Sequence, residues 1–166
     1  MSAVANSKRP AGTFEWVKDH RKMYLQSGGR MGHIMDLTGA GGYAFGTHCL
    51  IRYQGRVSGR TMIQGLTYGD IAGEVVICAS KGGAVDNPQW YHNIRAAETI
   101  DFQIATQAFR GTWREPKGAE REMVWAFMVD SYPFYGTYQT RTDRILPLVM
   151  MKAIEPIEVF TEADLT

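Results

Sequence analysis

The sequence predicts an antiparallel barrel of the α+β class. Short β-prone runs, "CLIRY", "MIQGLTY" and "EVVICAS", follow one another from about residue 48, separated by Gly-containing turns at 55–59 and 69–73. A second pair, "TIDFQIA" and "QAFRGTW", pairs through a tight turn near Thr106. Helical patterns lie between these runs and at the N-terminus. Strands joined by short turns, with helices inserted, favour an antiparallel barrel over a parallel sheet.

Taken in order, residues 1–12 read as a polar arm, and residues 13–166 as one domain. Thr13 caps a helix that runs to about Gln26, with Phe14, Val17, Tyr24 and Leu25 on one side. "SGG" ends it, and the glycine-rich stretch to about residue 47 reads as a long surface-hugging loop. In the third strand Val75, Ile77 and Ala79 face one way while Val76, Cys78 and Ser80 face the other. Asn87 is a natural N-cap with Pro88 at the first helical position, and Trp90, Ile94 and Ala97 share a face of the helix that follows. Ile100, Phe102 and Ile104 alternate to one side of the next strand. "KGAEREMVWAFMVDSY" reads as a helix with Met123, Val124, Phe127 and Met128 inward, and "LPLVMMKAI" as the last strong strand.

Bulk properties remove several classes of function. At 45% hydrophobic, 21% charged and a formal net charge of +1, nothing points to a nucleic-acid partner. Cys49 and Cys78 lack metal or redox spacing and sit in apolar runs, as buried thiols of a reducing compartment do. His20, His33, His48 and His92 show no metal-ligand spacing, and there is no Gly-x-Ser-x-Gly elbow for a hydrolase. The N-terminus has no apolar h-region and no stretch is long enough to span a bilayer, so the expectation is a cytoplasmic protein. Glu15, Lys18, Asp19, Arg21 and Lys22 argue against membrane attachment through the first helix. The sequence sets no oligomeric state.

Three stretches remain as candidates for chemistry. "RYQGRVSGR" combines Arg52, Arg56 and Arg60 with Ser58 and a Gly-rich turn, a set that suits a phosphate or equally a solvated turn; the Gly-Lys-Ser/Thr ending of a P-loop is missing. "ASKGGAVDNPQWYHN" leaves a buried strand through Ser80 and Lys81-Gly82-Gly83, whose backbone can approach a ligand closely or simply turn the chain. "SYPFYGTYQTRTDR" spaces Tyr132, Tyr135 and Tyr138 on one helical stripe. Packing alone accounts for such a stripe, but phenols in place of phenyl rings suit a half-wet pocket. Arg141, Asp143 and Arg144 behind them read as an ion-pair knot.

In this order, "GRVSGR", "ASKGGAVDNPQWYHN" and "YPFYGTYQTRTDRILPLV" resemble the deazaflavin-dependent nitroreductase family over roughly residues 45–153. The resemblance implies a split β-barrel that binds coenzyme F-420 and transfers a hydride from its reduced form to a small aromatic or conjugated acceptor, such as a nitroaromatic, quinone or enone. It implies a cofactor site of Arg56, Ser58, Arg60, Ala79, Ser80, Lys81, Gly82 and Gly83. It also implies substrate contacts and catalysis by Ser80, Tyr132, Tyr135 and Tyr138. Three places depart from the family pattern: Val57 stands where a basic residue is usual, Met62 where an arginine is, and Gly65-Leu66 where Pro-Leu is. Losing two charge-assisted contacts costs roughly 3–6 kcal/mol. The alternative readings are therefore an FMN-dependent reductase of the same fold, or a cofactor-independent enzyme or small-ligand-binding protein that kept the barrel pocket.

Overall fold

The computed structural model describes residues 14–166, so the arm expected over residues 1–12 and the Thr13 cap lie outside the described residues. In chain order the elements are α1 (Phe14–Gln26), β1 (Ile34–Met35), β2 (Gly46–Gln54), β3 (Thr61–Thr67), β4 (Gly69–Ile71) and β5 (Glu74–Cys78). They continue through α2 (Gln89–Ile94), β6 (Thr99–Ile104), β7 (Gln107–Arg114), α3 (Gly118–Ser131), α4 (Phe134–Gln139) and β8 (Leu148–Ile157). Every strand pairing is antiparallel, as the short turns predict. The sheet runs β1-β2-β6-β7-β8-β5-β4, with β3 also paired to β2. It curls far enough for β3 to meet β5, so the far ends of the path approach one another. The β6–β7 hairpin turns where it was expected, with Ile104 opposite Gln107 and Ala105 at φ 51°.

The alternation read along β5 feeds two of three cores. Val75, Ile77 and Ala79 enter a cluster with Cys49, Ile51, Trp90, Ile94, Phe102, Val149 and Met151. Val76 and Cys78 enter a second with Val124, Met128, Tyr132, Phe134, Tyr135 and Leu148. A period of two, apolar at every position, is what a strand covered on both faces requires. The first core lies between the sheet and α2; the second lies under α3 and α4. A third cluster seats Tyr24 and Leu25 of α1 against Leu50, Ile63 and Phe160. Both cysteines are buried and free, and burial pushes each thiol up to about 12.

Several local expectations change. The stretch 27–47 is not all loop, because Ile34–Met35 pairs with β2 through Ile34↔Thr47 and Met35↔Gly46. The turn expected at 69–73 holds β4, with Ala72 and Gly73 at φ 51° and 84° closing a tight hairpin onto β5. Helix α3 buries Val124 and Met128, one stripe at i, i+4, while Met123 and Phe127 stay exposed. Ala97 is likewise exposed, beyond the end of α2. Asn87 caps nothing: Pro88 takes the cap position of α2, and the Asn87 amide is engaged elsewhere. No helix of the described residues is long and apolar enough to cross a membrane.

Candidate active site

Strand β5 ends at Cys78 because its ladder to β8 ends at the Cys78↔Leu148 pair. Ala79 adds one bond, N–H to the Pro147 carbonyl at 2.9 Å, and the chain then turns. Ser80 is right-handed helical at φ −82°, and Lys81, Gly82 and Gly83 follow with φ of 46°, 64° and 81°. Such a run suits glycine and costs a non-glycine residue about 1–2 kcal/mol, so Lys81 is held there by its surroundings. Gly83 packs hard on α4: a Cβ on it would come 2.4 Å from the Tyr138 carbonyl oxygen and 3.0 Å from the Arg141 Cβ. Gly82 faces open space. Two stretches far apart in sequence are thus joined at Gly83.

Arg144 makes a second join. Its Nε donates to the Ala84 carbonyl at 2.7 Å, Nη2 to the Ser80 carbonyl at 2.7 Å, and Nη1 to the Ala79 carbonyl at 3.2 Å and Asn87 Oδ1 at 2.7 Å. Arg141 adds a 3.2 Å bond from Nη1 to the Gly82 carbonyl. The expected ion-pair knot with Asp143 is absent among the described residues; both arginines are turned onto the loop instead. No local signal could show this, since the partners lie 57–65 positions away.

The three tyrosine rings meet in a row but not on one helical stripe, because Tyr132 sits at the non-helical end of α3, at φ −138° and ψ 83°, and Pro133 separates it from α4, which carries Tyr135 and Tyr138. Their rings stand edge to face, with centroids 5.9 Å apart from Tyr132 to Tyr135 and 6.3 Å from Tyr135 to Tyr138. Their hydroxyls differ. That of Tyr132 lies 2.8 Å from Thr47 Oγ1 and also donates to the carbonyls of Thr47 and Tyr68; burial holds its pKa above the ordinary phenol value. The Tyr135 hydroxyl is bonded to Thr67 Oγ1 in the buried interior. Tyr138 is half-buried with Arg141 over its ring at 5.3 Å, and its hydroxyl has no hydrogen-bond partner among the described residues. Ser80 is half-buried, and its side chain caps nothing.

Sequence reasoning passed over Tyr68, whose backbone carbonyl holds Tyr132. Its own hydroxyl lies 2.6 Å from His33 Nε2. Burial raises the Tyr68 pKa to about 12 and lowers that of His33. Because the folded imidazole titrates below its ordinary 6.5, the unfolded chain binds that proton more tightly. The stability His33 contributes as a neutral ring is present above 6.5 and is lost as pH falls through the lowered value. Urea midpoints across that range should therefore fall more steeply for the wild type than for His33→Gln.

The "GRVSGR" segment closes the β2–β3 hairpin and borders a groove of about 870 Å³. Tyr53 to Gly59, Asn93, Ala96, Asp101 and Arg110 contribute to its walls. Arg56 is fixed there by neutral groups. Its N–H and Nη1 both donate to Asn93 Oδ1, at 3.1 and 2.8 Å, and Nη1 reaches Gln89 Oε1 at 3.2 Å. Asn93 is buried and was not foreseen, although a polar residue between Tyr91 and Ile94 of a buried helix is a visible oddity. Ser58 Oγ accepts the Arg60 N–H at 3.2 Å. Val57, at 91% exposure, and Met62, at 40%, are surface residues, so neither replaces a structural cation.

Charge bookkeeping separates the arginines of the groove. Arg52 is neutralised by Asp101 at 2.7 Å and Asp164 at 2.9 Å, and Arg110 by Asp101 and Glu155. Arg56, Arg60 and Lys81 have no carboxylate partner among the described residues, and neither do Arg141 and Arg144. The hairpin flanks the C-terminal half of α2 through Asn93, while Lys81 lies ahead of its start; residues 79–83 do not line the groove itself. Among the described residues no group of His, Cys, Asp or Glu could hold a metal ion.

Comparison with known proteins bears on the family and the fold. A family model described as F420H(2)-dependent quinone reductase matches residues 16–153. An F420H(2)-dependent quinone reductase of Mycobacterium tuberculosis is 27% identical over 135 residues, covering 80% of this chain and 86% of that one. A solved F420-H2 dependent reductase, FDR-A, superposes with a TM-score of 0.59 at 35% identity, over 63% of this chain and 93% of that chain. A chain described as a domain-swapped dimer superposes at 0.61 with 30% identity, over 83% and 98%. The curled antiparallel sheet with its inserted helices is therefore the split β-barrel that the resemblance implied, and the family's cofactor is F420 in place of the alternative FMN. The chain belongs to the F420H(2)-dependent quinone reductase family, and is a deazaflavin-dependent oxidoreductase.

Proposed function

We propose that this protein reduces a quinone, or another small conjugated acceptor such as a nitroaromatic or an enone, at the corner where the 79–83 loop meets Tyr138. When bound, reduced F420 supplies a hydride. The observation that carries the reading is the set of cations lacking a carboxylate partner, Arg56, Arg60 and Lys81, in the two segments that also carry Ser58 and Ser80. A cofactor with a phosphate and an acidic tail fits such a set, because each cation keeps its full charge for the ligand. Arg56, Ser58 and Arg60 would hold the phosphate and tail, while Ala79 to Gly83 would hold the ring edge.

The residues then divide the remaining work. Ser80 and Tyr138 carry hydroxyls left without a partner among the described residues, and they donate to the oxygen on which negative charge develops as the acceptor is reduced. Tyr132 and Tyr135, whose hydroxyls are engaged by Thr47, Tyr68 and Thr67, shape the wall and hold α4 in place. Protonation of the reduced oxygen comes from Tyr138 or from solvent beside it. Anaerobic oxidation of reduced F420 by benzoquinone tests the assignment. Ser80→Ala and Tyr138→Phe should each lower kcat by about 10–100-fold, the range expected for a lost oxyanion donor or proton donor. Full turnover in the double variant would refute it.

A further inference from the structure

We infer that Arg144 is a positioning residue: its guanidinium sets the conformation of the 79–87 loop in which Ser80 and Lys81 face the cofactor. The inference rests on the deazaflavin reading of that loop. All four of its hydrogen bonds end on neutral oxygens, three of them backbone carbonyls of Ala79, Ser80 and Ala84 and the fourth Asn87 Oδ1. The planar fork spans both sides of the turn at once, a reach that a single ammonium lacks.

Two consequences follow from peptide geometry. The carbonyls of Ala79 and Ser80 belong to the peptide units whose N–H groups are those of Ser80 and Lys81. No peptide here is cis, so each N–H points away from the carbonyl that Arg144 holds. Anchoring two successive carbonyls on one guanidinium therefore fixes two successive N–H directions, and the positive charge polarises both amides as donors. The anchor also sits where strain is stored, ahead of the left-handed Lys81 at φ 46°. Without it, the loop is free to relax toward right-handed conformations that turn the Ser80 hydroxyl and the Lys81 backbone elsewhere. Arg144 lies only a few residues beyond α4, so one side chain ties the tyrosine wall to the cofactor loop.

The test compares wild type, Arg144→Ala and Arg144→Lys, each checked for native circular dichroism, by fluorescence titration with F420 and by turnover with benzoquinone. In Arg144→Ala the affinity for F420 should fall by about 30-fold or more, the scale of losing charge-assisted bonds, while KM for benzoquinone changes little. Arg144→Lys should recover little of it. Added ethylguanidinium should restore about tenfold in Arg144→Ala and nothing in wild type. A purely stabilising arginine would lower the melting temperature without this split. Wild-type affinity in Arg144→Ala, or full recovery in Arg144→Lys, would overturn the inference. If the alanine variant does not fold, the lysine variant decides, as it keeps the charge and loses the fork. Hydrogen exchange without cofactor separates this inference from the reading beneath it. Faster exchange at the Gly83 and Ala84 amides of Arg144→Lys supports the clasp even if wild type fails to bind F420, and unchanged exchange overturns it.

Discussion

Gly83→Val is expected to abolish F420 binding and to destabilise the fold by roughly 2–5 kcal/mol. Two costs act together. A valine at φ 81° carries the left-handed penalty in its most severe form, because a β-branched side chain crowds both flanking peptides. Its Cβ would also start 2.4 Å from the Tyr138 carbonyl oxygen, and backbone cannot swing aside as a side-chain tip can. Relief requires α4 and the loop to part, which breaks the corner joining Ser80 to Tyr138. Gly82→Ala is the matched control. Gly82 has φ 64° but nothing within 4 Å of an added Cβ, so only the torsional cost of about 1–2 kcal/mol remains. Urea midpoints should place Gly83→Val well below Gly82→Ala. Equal midpoints would show that the α4 contact is soft.

The second large effect is electrostatic. Replacing both Lys81 and Arg56 by alanine removes two cations that no carboxylate of the described residues neutralises. At about 1.5–3 kcal/mol for each charge-assisted bond, affinity for F420 should fall by about 10²–10⁴, with stability nearly unchanged for exposed Lys81. The Arg56 change costs more stability, because Asn93, buried at 6% exposure, loses the guanidinium it accepts from. Titration at two salt concentrations checks the cause: the wild-type affinity should weaken with salt, and the double variant's much less. The same logic covers the departures at Val57 and Met62. Both are surface positions, so Val57→Lys or Met62→Arg should add affinity without disturbing the core.

What could be read from the sequence was what repeats locally. The two-sided alternation along β5 sorted Val75, Ile77 and Ala79 from Val76 and Cys78 into two different cores, since a period of two maps directly onto two faces, but Ser80 lies past the end of the strand and enters neither. The tyrosine spacing put Tyr135 and Tyr138 together on α4, but Tyr132 joins them from the non-helical end of α3. What could not be read was long-range. Asn87 had every mark of an N-cap, yet Arg144, 57 positions later, claims its side chain. Asn93 and Arg56 are 37 positions apart, and His33 and Tyr68 are 35 apart. Helix α3 misled because its apolar residues cover more than one face: Val124 and Met128 are fully buried, Trp125 and Val129 only partly, and Met123 and Phe127 stay exposed. Strand β1 was hidden because two residues carry no periodicity. At the candidate site the motif positions were legible, but which hydroxyls remain available depends on the partners Thr47, Thr67 and the Tyr68 carbonyl, all more than 60 positions away in the chain.

On the proposed reading, this barrel corner takes the deazaflavin through its unneutralised cations. A fluorescence titration of the purified protein with F420, run beside FMN and repeated on Lys81→Ala, tests it most directly. F420 should bind saturably and weaken at least tenfold in the variant, about one charge-assisted bond, and FMN should bind markedly more weakly. Tight FMN binding with none for F420, or F420 binding indifferent to Lys81, would contradict it.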